Sequence, residues 1–274
     1  MTIDKHFVGE VGRNDLGSFL RINSNFNRNI DYEAIFDYLD KWRSCRINKN
    51  HLPFELRIPS KPLTFLDIES RGLHNYDQIF LIGITQIDQG EVKIDQYLAR
   101  DPFEEGAMLQ ETIEILNKSR NVITFNGASF DMDRIKKRAR VWTTTELKGV
   151  HHLDLYRAKP VHLSLASEGV PENDRSLQTF ERYVLGYVRQ GDLSGALAPE
   201  IYRRYITRHK IQRQGDSKKR ERLTAKEEKA NSERLAEIIK HNLIDTLSIA
   251  CLYAFACQYH AAQEAVYHKE EPEI

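Results

Sequence analysis

Leu63-Thr-Phe-Leu-Asp-Ile68, with Glu69 directly behind it, is the stretch on which the fold turns. It is short, apolar and rich in residues that suit a pleated surface, so it reads as a strand. Pro53, Pro59 and Pro62 keep the chain ahead of it extended. A polar turn follows, then a second apolar run, Gln78-Ile-Phe-Leu-Ile-Gly-Ile-Thr85, and a third segment, Glu91 to Leu98, with Val92, Ile94 and Tyr97 alternating. Asp88-Gln-Gly90 between the last two is hairpin chemistry. Three strands on short links predict an antiparallel meander.

Beyond the meander the period changes. Asp101-Pro102-Phe-Glu104 supplies an N-cap residue, a first-turn proline and acids at the positive end of a helix dipole, and the helix it opens is expected to run to about Lys118. Asn121 to Phe125 reads as a fourth strand, Ser129 to Arg140 as a second helix, and His152 to Tyr156 as a short fifth strand. The order β-β-β-α-β-α-β, followed by helices, predicts an α/β fold. Its core is a mixed five-stranded sheet, an antiparallel meander then parallel strands, flanked by helices.

The flanking regions read differently. Residues 1–60 are expected to be an accessory segment with one amphipathic helix, about Tyr32 to Cys45, carrying Ile35, Phe36, Leu39 and Trp42 on one face. Residues 61–274 form the main domain. After Tyr156 the chain looks helical: Ser176 to Leu185, Pro199 to about Arg208, and a last helix from roughly Ser232 to Tyr259 with Leu235, Ile238, Ile239, Leu243 and Leu247 at helical spacing. Residues 211–231 are a highly charged helical insertion nearly devoid of large apolar side chains.

Composition narrows the class. Of 274 residues, 41% are hydrophobic, enough for a sizeable core, and 29% are charged. Forty basic residues balance forty acidic ones, so attraction to a polyanion has to come from local patches. The Met1 end has no apolar run of signal-peptide length and no stretch approaches a membrane span, so a cytoplasmic protein with no membrane contact is expected. Cys45, Cys251 and Cys257 are too few and too scattered for a disulfide framework or a zinc site, and they read as free thiols in a reducing compartment.

Three acidic positions fall at comparable places in this layout. Asp67 and Glu69 are two apart on a strand, so both side chains leave the same face, where adjacent carboxylates are costly without a cation. Asp131 follows the fourth strand across Asn126-Gly-Ala-Ser-Phe130, which places an acid in a helix first turn; neighbouring strands would bring it near Asp67. Asp245 lies four residues after His241, one turn on along the same helix face. Each feature alone has an ordinary structural explanation: a solvated strand end, a dipole-favoured acid, a helix-surface pair. Their conjunction, in this order, is the informative observation.

Phe65-Leu-Asp67-Ile-Glu69, Asn126-Gly-Ala-Ser-Phe-Asp131 and His241-Asn-Leu-Ile-Asp245 resemble the three motifs of the DEDD class of 3′–5′ exonucleases, within the ribonuclease H-like superfamily. Ser176 to Gly186 and Asp192 to Tyr205 are similar to the helical region of its bacterial YprB-like branch, and the resemblance covers roughly residues 62–260. One departure stands out. The familiar subclasses carry tyrosine four residues before the last aspartate or histidine five before it; here histidine occupies the tyrosine spacing.

The resemblance implies a two-metal phosphodiesterase holding Mg²⁺ or Mn²⁺, since hard oxygen donors suit these ions. Asp67 would bridge both ions, Glu69 and Asp245 would complete one site, and Asp131 would support the other. His241 would act as general base, a role suited to a side chain that titrates near neutrality. The implied substrate is a nucleic acid with a 3′ end, single-stranded by preference, with DNA and RNA both open. Asn126, Lys136 and Lys137 are candidates for holding it, and Asp154 for supporting the site. The helix after Asp131 carries Arg134, Lys136, Lys137, Arg138 and Arg140, and residues 203–222 hold nine Lys/Arg against Asp216 and Glu221. Two alternatives stay open on the same fold: a non-catalytic nucleic-acid-binding protein and a structure-specific endonuclease.

Overall fold

The computed structural model describes residues 8–23, 33–44, 47, 49–74, 76–142, 145–193, 195–213 and 225–270. Its centre is one mixed sheet built on β3 (Leu63–Ser70), the strand that carries Asp67 and Glu69. β4 (Ile79–Asp88) runs antiparallel to β3, and β5 (Glu91–Leu98) antiparallel to β4. The turn between them places Gln89 and Gly90 at positive φ, the left-handed geometry that Asp-Gln-Gly was read to supply. On the other side of β3 lie β6 (Asn121–Thr124) and β7 (His151–Asp154), both parallel. The five expected strands are present with the expected directions.

The sheet is wider than expected. β1 (Gly9–Asn14) and β2 (Gly17–Asn23) form a hairpin that pairs β2 antiparallel with β5, giving seven strands in the order β1-β2-β5-β4-β3-β6-β7. Residues 1–60 were read as carrying only a helix, because β1 lacks an apolar alternation. The reason is local: a Cβ on Gly9 would strike the Leu20 side chain at 2.6 Å, and one on Gly12 the Phe19 ring at 2.5 Å. β1 thus accepts its partner's apolar side chains across glycines.

β3 alternates between two cores, as a doubly covered strand must. Leu66 and Ile68 face the apolar cluster under α2 (Glu105–Ser119) and α3 (Asp131–Trp142). Leu63 and Phe65 face the larger cluster. It is completed by α1 (Glu33–Ser44), α4 (Lys159–Ser167), α5 (Leu177–Val184), α6 (Ala198–Arg213) and α7 (Ala225–Glu270). In α1, Ile35 and Leu39 are fully buried and Phe36 and Trp42 pack partly against that core, the face expected of this segment. α2 and α3 are pinned together by the wholly buried Glu105, which accepts from Arg138, from Trp142 Nε1 at 2.8 Å and from the Ile79 amide at 2.9 Å.

α7 extends well beyond the expected 232–259. Leu235, Ile239, Leu243, Leu247, Cys251 and Ala254 make its buried stripe, and Cys251 and Cys257 are both free and buried; Cys45 lies outside the described residues. Of the charged insertion expected at 211–231, residues 214–224 lie outside them too, as do residues 214–222 of the basic run at 203–222. Among the described residues no helix is long and apolar enough to cross a membrane.

Where α7 crosses the sheet, a polar contact replaces apolar packing. Gly83 stands opposite Asp67 on β4, and a Cβ there would meet Asn242 Oδ1 at 2.3 Å and Thr246 Cγ2 at 2.9 Å. Glycine lets the helix sit directly on the strand. Replacing Gly83→Ala should therefore cost about 1–3 kcal/mol, the usual cost of forced overpacking, read as a lower denaturant midpoint; unchanged stability would show that α7 can lift without penalty.

Candidate active site

Asp67 and Glu69 leave β3 on the face covered by α7, as a strand period of two requires. Asp67 is held by Asn242, whose Nδ2 donates to its Oδ2 at 2.8 Å and to its backbone oxygen at 3.1 Å. Asn242 is in turn fixed by Gln96 Nε2, which donates to Asn242 Oδ1 and to the Ile239 carbonyl, both at 2.8 Å. A polar row of Gln96, Asn242 and Asp67 thus runs across three strands beneath α7. None of its supporting members was singled out from sequence.

Asp131 reaches the same region from the other side. It begins α3, and its Oδ1 accepts from the Ile68 amide at 3.1 Å, between the two acids of β3. The loop that delivers it is braced by Asp154, at the end of β7. Asp154 Oδ1 accepts from the amides of Asn126 at 2.7 Å and Tyr156 at 3.1 Å, and Oδ2 from that of Ala128 at 3.0 Å. Asn126 takes a positive φ of 60°, and Gly127 leaves the space Asp131 needs, since a Cβ there would come within 2.8 Å of Asp131 Oδ2.

Asp245 lies on α7 one turn after His241, as the spacing predicted, with His241 Nε2 3.4 Å from its Oδ2. Its other oxygen is taken by a residue the sequence reading missed. Arg189, between α5 and α6 and only 4% exposed, directs Nη2 to Asp245 Oδ1 and, at 2.6 Å, to Glu181 Oε1. Its Nη1 lies 3.3 Å from Asp192 Oδ2 and from His241 Nδ1. Burial works against the Arg189 charge, but Glu181 and Asp245 more than offset it and hold the guanidinium above its usual range. Asp192, also missed, stands 2.7 Å from His241 Nδ1.

The electrostatics join these acids into one site. Burial pushes both Asp67 and Glu69 well above the usual carboxylate range, and the next largest contributions come from Asp245 and Asp131 in both cases. Burial raises Asp131 to about 7, against the pull of its backbone hydrogen bonds. Four acids from three separate elements therefore feel one another. Asp67 is anchored by Asn242, Asp131 by the Ile68 amide and Asp245 by Arg189, and among the described residues no three His, Cys, Asp or Glu side chains stand ready-made as a metal-holding group. The donor set, all hard carboxylate oxygen with a net deficit of positive charge, fits a divalent cation such as Mg²⁺ or Mn²⁺.

The candidate substrate contacts are less uniform. Lys136 and Asn126 are exposed at the surface, but Lys137 is paired with Asp133 at 2.7 Å. Arg138 is committed to Glu105, and Arg134 is buried with its guanidinium over the Phe130 ring and Nη1 on the Gly72 carbonyl. The basic run on α3 is not one solvated face. A cleft of about 550 Å³ opens beside Asp245 and His241, lined also by Phe125, Ser176, Gln178 and Asp192.

A family model described as the RNase_H superfamily matches residues 64–257. The chain is also 27% identical, over 195 residues, to the uncharacterized protein YprB of Bacillus subtilis (strain 168). That stretch is 70% of this chain and 41% of that protein, so the chain spans under half the length of this curated relative.

The raised carboxyls make a stability prediction. A group that protonates more readily folded than unfolded contributes stability at low pH and loses it as pH rises through its folded value. In EDTA, the Asp131 contribution should fade between the ordinary aspartate value of 3.8 and about 7. The stability of Asp131→Asn should fall less steeply over that range than wild type, because asparagine keeps an acceptor for the Ile68 amide and carries no charge. Identical slopes in denaturant titrations would show that Asp131 is not desolvated.

Proposed function

The chain belongs to the RNase H superfamily, and from that premise we propose that it is a metal-dependent 3′–5′ exonuclease hydrolysing the phosphodiester bonds of DNA or RNA. The observation that carries the reading is the electrostatic convergence of Asp67 and Glu69 from β3, Asp131 from α3 and Asp245 from α7. These four would hold the divalent cations, Mg²⁺ or Mn²⁺, that the reaction needs. Such ions, when bound, supply an acidified water and neutralise charge at the attacking and leaving oxygens.

The rest falls to the chain's own side chains. Asn242 fixes which Asp67 oxygen points into the site, and Asp154 fixes the loop that presents Asp131. His241 Nε2 lies 3.4 Å from Asp245 Oδ2, which supports a role for it in taking a proton from the attacking water. Histidine one turn before the last acid supports an exonuclease over an endonuclease. Lys136 and Asn126 are proposed to meet the nucleic-acid backbone; a single-stranded end suits a cleft beside the acids.

One observation favours a second reading. Arg189 already neutralises one oxygen of Asp245, which would suit a protein that binds nucleic acid without cutting it. An assay on matched DNA and RNA oligonucleotides, labelled to follow 3′-end shortening, with Mn²⁺ or with EDTA, separates the two. Mn²⁺-dependent single-nucleotide ladders, with circular single strands left uncut, are expected of the exonuclease. Asp67→Ala and Asp245→Ala should each abolish cleavage while leaving a folded protein with the far-UV circular dichroism of wild type, and His241→Ala should be less severe. Near wild-type cleavage by Asp67→Ala would make the assignment wrong, and tight binding with no cleavage in Mn²⁺ would favour the second reading.

A further inference from the structure

Asp192 is not one of the four acids, yet it is tied closely to them. It lies in the segment between α5 and α6, more than forty residues before His241 in sequence, and both side chains are nearly enclosed at 13% and 12% exposed. Asp192 Oδ1 sits 2.7 Å from His241 Nδ1. Its Oδ2 is held from two further directions, by Gln178 Nε2 at 3.1 Å and Arg189 Nη1 at 3.3 Å. The carboxylate cannot swing away without breaking both.

This geometry decides how the imidazole carries its proton. Two groups compete for His241 Nδ1, the Asp192 carboxylate at 2.7 Å and the Arg189 guanidinium at 3.3 Å. A carboxylate only accepts and a guanidinium only donates. The shorter contact governs, so Nδ1 carries the hydrogen and donates it to Asp192, while Arg189 Nη1 donates to Asp192 Oδ2. Asp245 Oδ2, the acceptor on the other side of the ring, is 3.4 Å from Nε2 and competes for the hydrogen more weakly than Asp192 at 2.7 Å, so in the neutral ring the lone pair is on Nε2. Without Asp192, Arg189 would be the remaining neighbour of Nδ1. It would stabilise the opposite tautomer, with the lone pair turned away from the acids.

We propose that Asp192 is a positioning residue for the nuclease reaction: by accepting the Nδ1 hydrogen of His241 it keeps the Nε2 lone pair facing the carboxylate cluster. The inference rests on the exonuclease reading. In the step it serves, a water O–H bond breaks and its proton passes to Nε2; the oxygen keeps the electron pair and bonds to phosphorus as the P–O bond to the 3′ oxygen of the preceding nucleotide breaks, and that oxygen leaves with the bond's electrons and takes a proton from solvent. The resulting imidazolium has a carboxylate on each side, Asp192 at Nδ1 and Asp245 at Nε2. The same arrangement, in which a carboxylate fixes a histidine's tautomer, is a general device for orienting a base.

The test combines a double-mutant cycle with a direct view of the ring. Single-turnover cleavage of a 3′-labelled oligonucleotide in Mn²⁺ is measured for Asp192→Ala, His241→Ala, the double variant and Asp192→Asn. Asp192→Ala should lower the rate about 10–100-fold, the range found when an orienting partner is removed, with KM unchanged. In the His241→Ala background it should cost nothing further. Asp192→Asn keeps an acceptor oxygen and should recover part of the loss. Nitrogen-15 NMR of His241 should show the Nδ1–H tautomer in wild type and the Nε2–H tautomer in Asp192→Ala.

An equal loss from Asp192→Ala with and without His241 would make the residue merely structural and overturn the inference. So would a wild-type rate for Asp192→Ala, or a ring tautomer indifferent to it; in each of these cases the nuclease reading stands. A wild-type protein with no Mn²⁺-dependent cleavage sinks that reading and this inference together, whatever the tautomer.

Discussion

The seat of α7 on β3 is the constraint on which the rest of the molecule depends. Two elements 175 residues apart meet where Asn242 donates to Asp67, and the contact exists only because Gly83 has no side chain to hold them apart. It is an unusual place for a buried amide. Asn242 is wholly buried, and its oxygen and nitrogen are both engaged, by Gln96 and by Asp67. Gln96 Oε1 has no partner among the described residues, but another register of helix on sheet would leave both polar atoms of Asn242 unpaired as well, so the contact fixes one register where apolar packing alone would tolerate several. That register sets where His241 and Asp245 fall, since both lie on α7 within one turn of Asn242.

The same contact brings together charges that repel. Burial alone makes Asp67 and Glu69 costly on the covered face of a strand. Asp245 and Asp131 make the cost larger, which is why burial and these two acids together raise both carboxyls. The fold answers with positive charge from outside the cluster. Arg189, buried among Glu181, Asp192 and Asp245, neutralises the outer side of the site while the inner side remains acidic. The asymmetry matters for the proposed chemistry. An arginine on the far oxygen of Asp245 leaves the near one to His241 Nε2, and it locks the segment between α5 and α6 onto α7.

Legibility from sequence follows the same division. Asp67 and Glu69 could be paired because a strand repeats every two residues, and His241 and Asp245 because a helix repeats every 3.6. Asp131 was placed by the strand–turn–helix order around it. Regular structure gives such positions a rule. Arg189 and Asp192 sit in irregular backbone, where no period relates a residue to a face, and their partners are tens of residues away. Only coordinates could join them. The β1–β2 hairpin was hidden for another reason, since glycines stand where the alternation should be apolar. On α3, charge type misled: Arg134, Lys137 and Arg138 read as a phosphate-binding face, yet one is buried and two are paired with acids.

Asp154 shows why a residue's weight in a site depends on what it holds. As an isolated acid at the end of a short strand it has a plain explanation, and its oxygens accept only backbone amides and a neighbouring arginine. But those amides belong to the loop in which Asn126 turns through positive φ and Gly127 makes room for Asp131. Releasing the loop would let Asp131 relax away from the Ile68 amide, and the repulsion among the four acids supplies the force to do so. The carboxylates do not hold themselves together; single hydrogen bonds from Asn242, Ile68 and Arg189, and the brace at Asp154, hold them against their own charge. The geometry of these acids is stored in residues outside the group, in Asn242, Arg189 and Asp154.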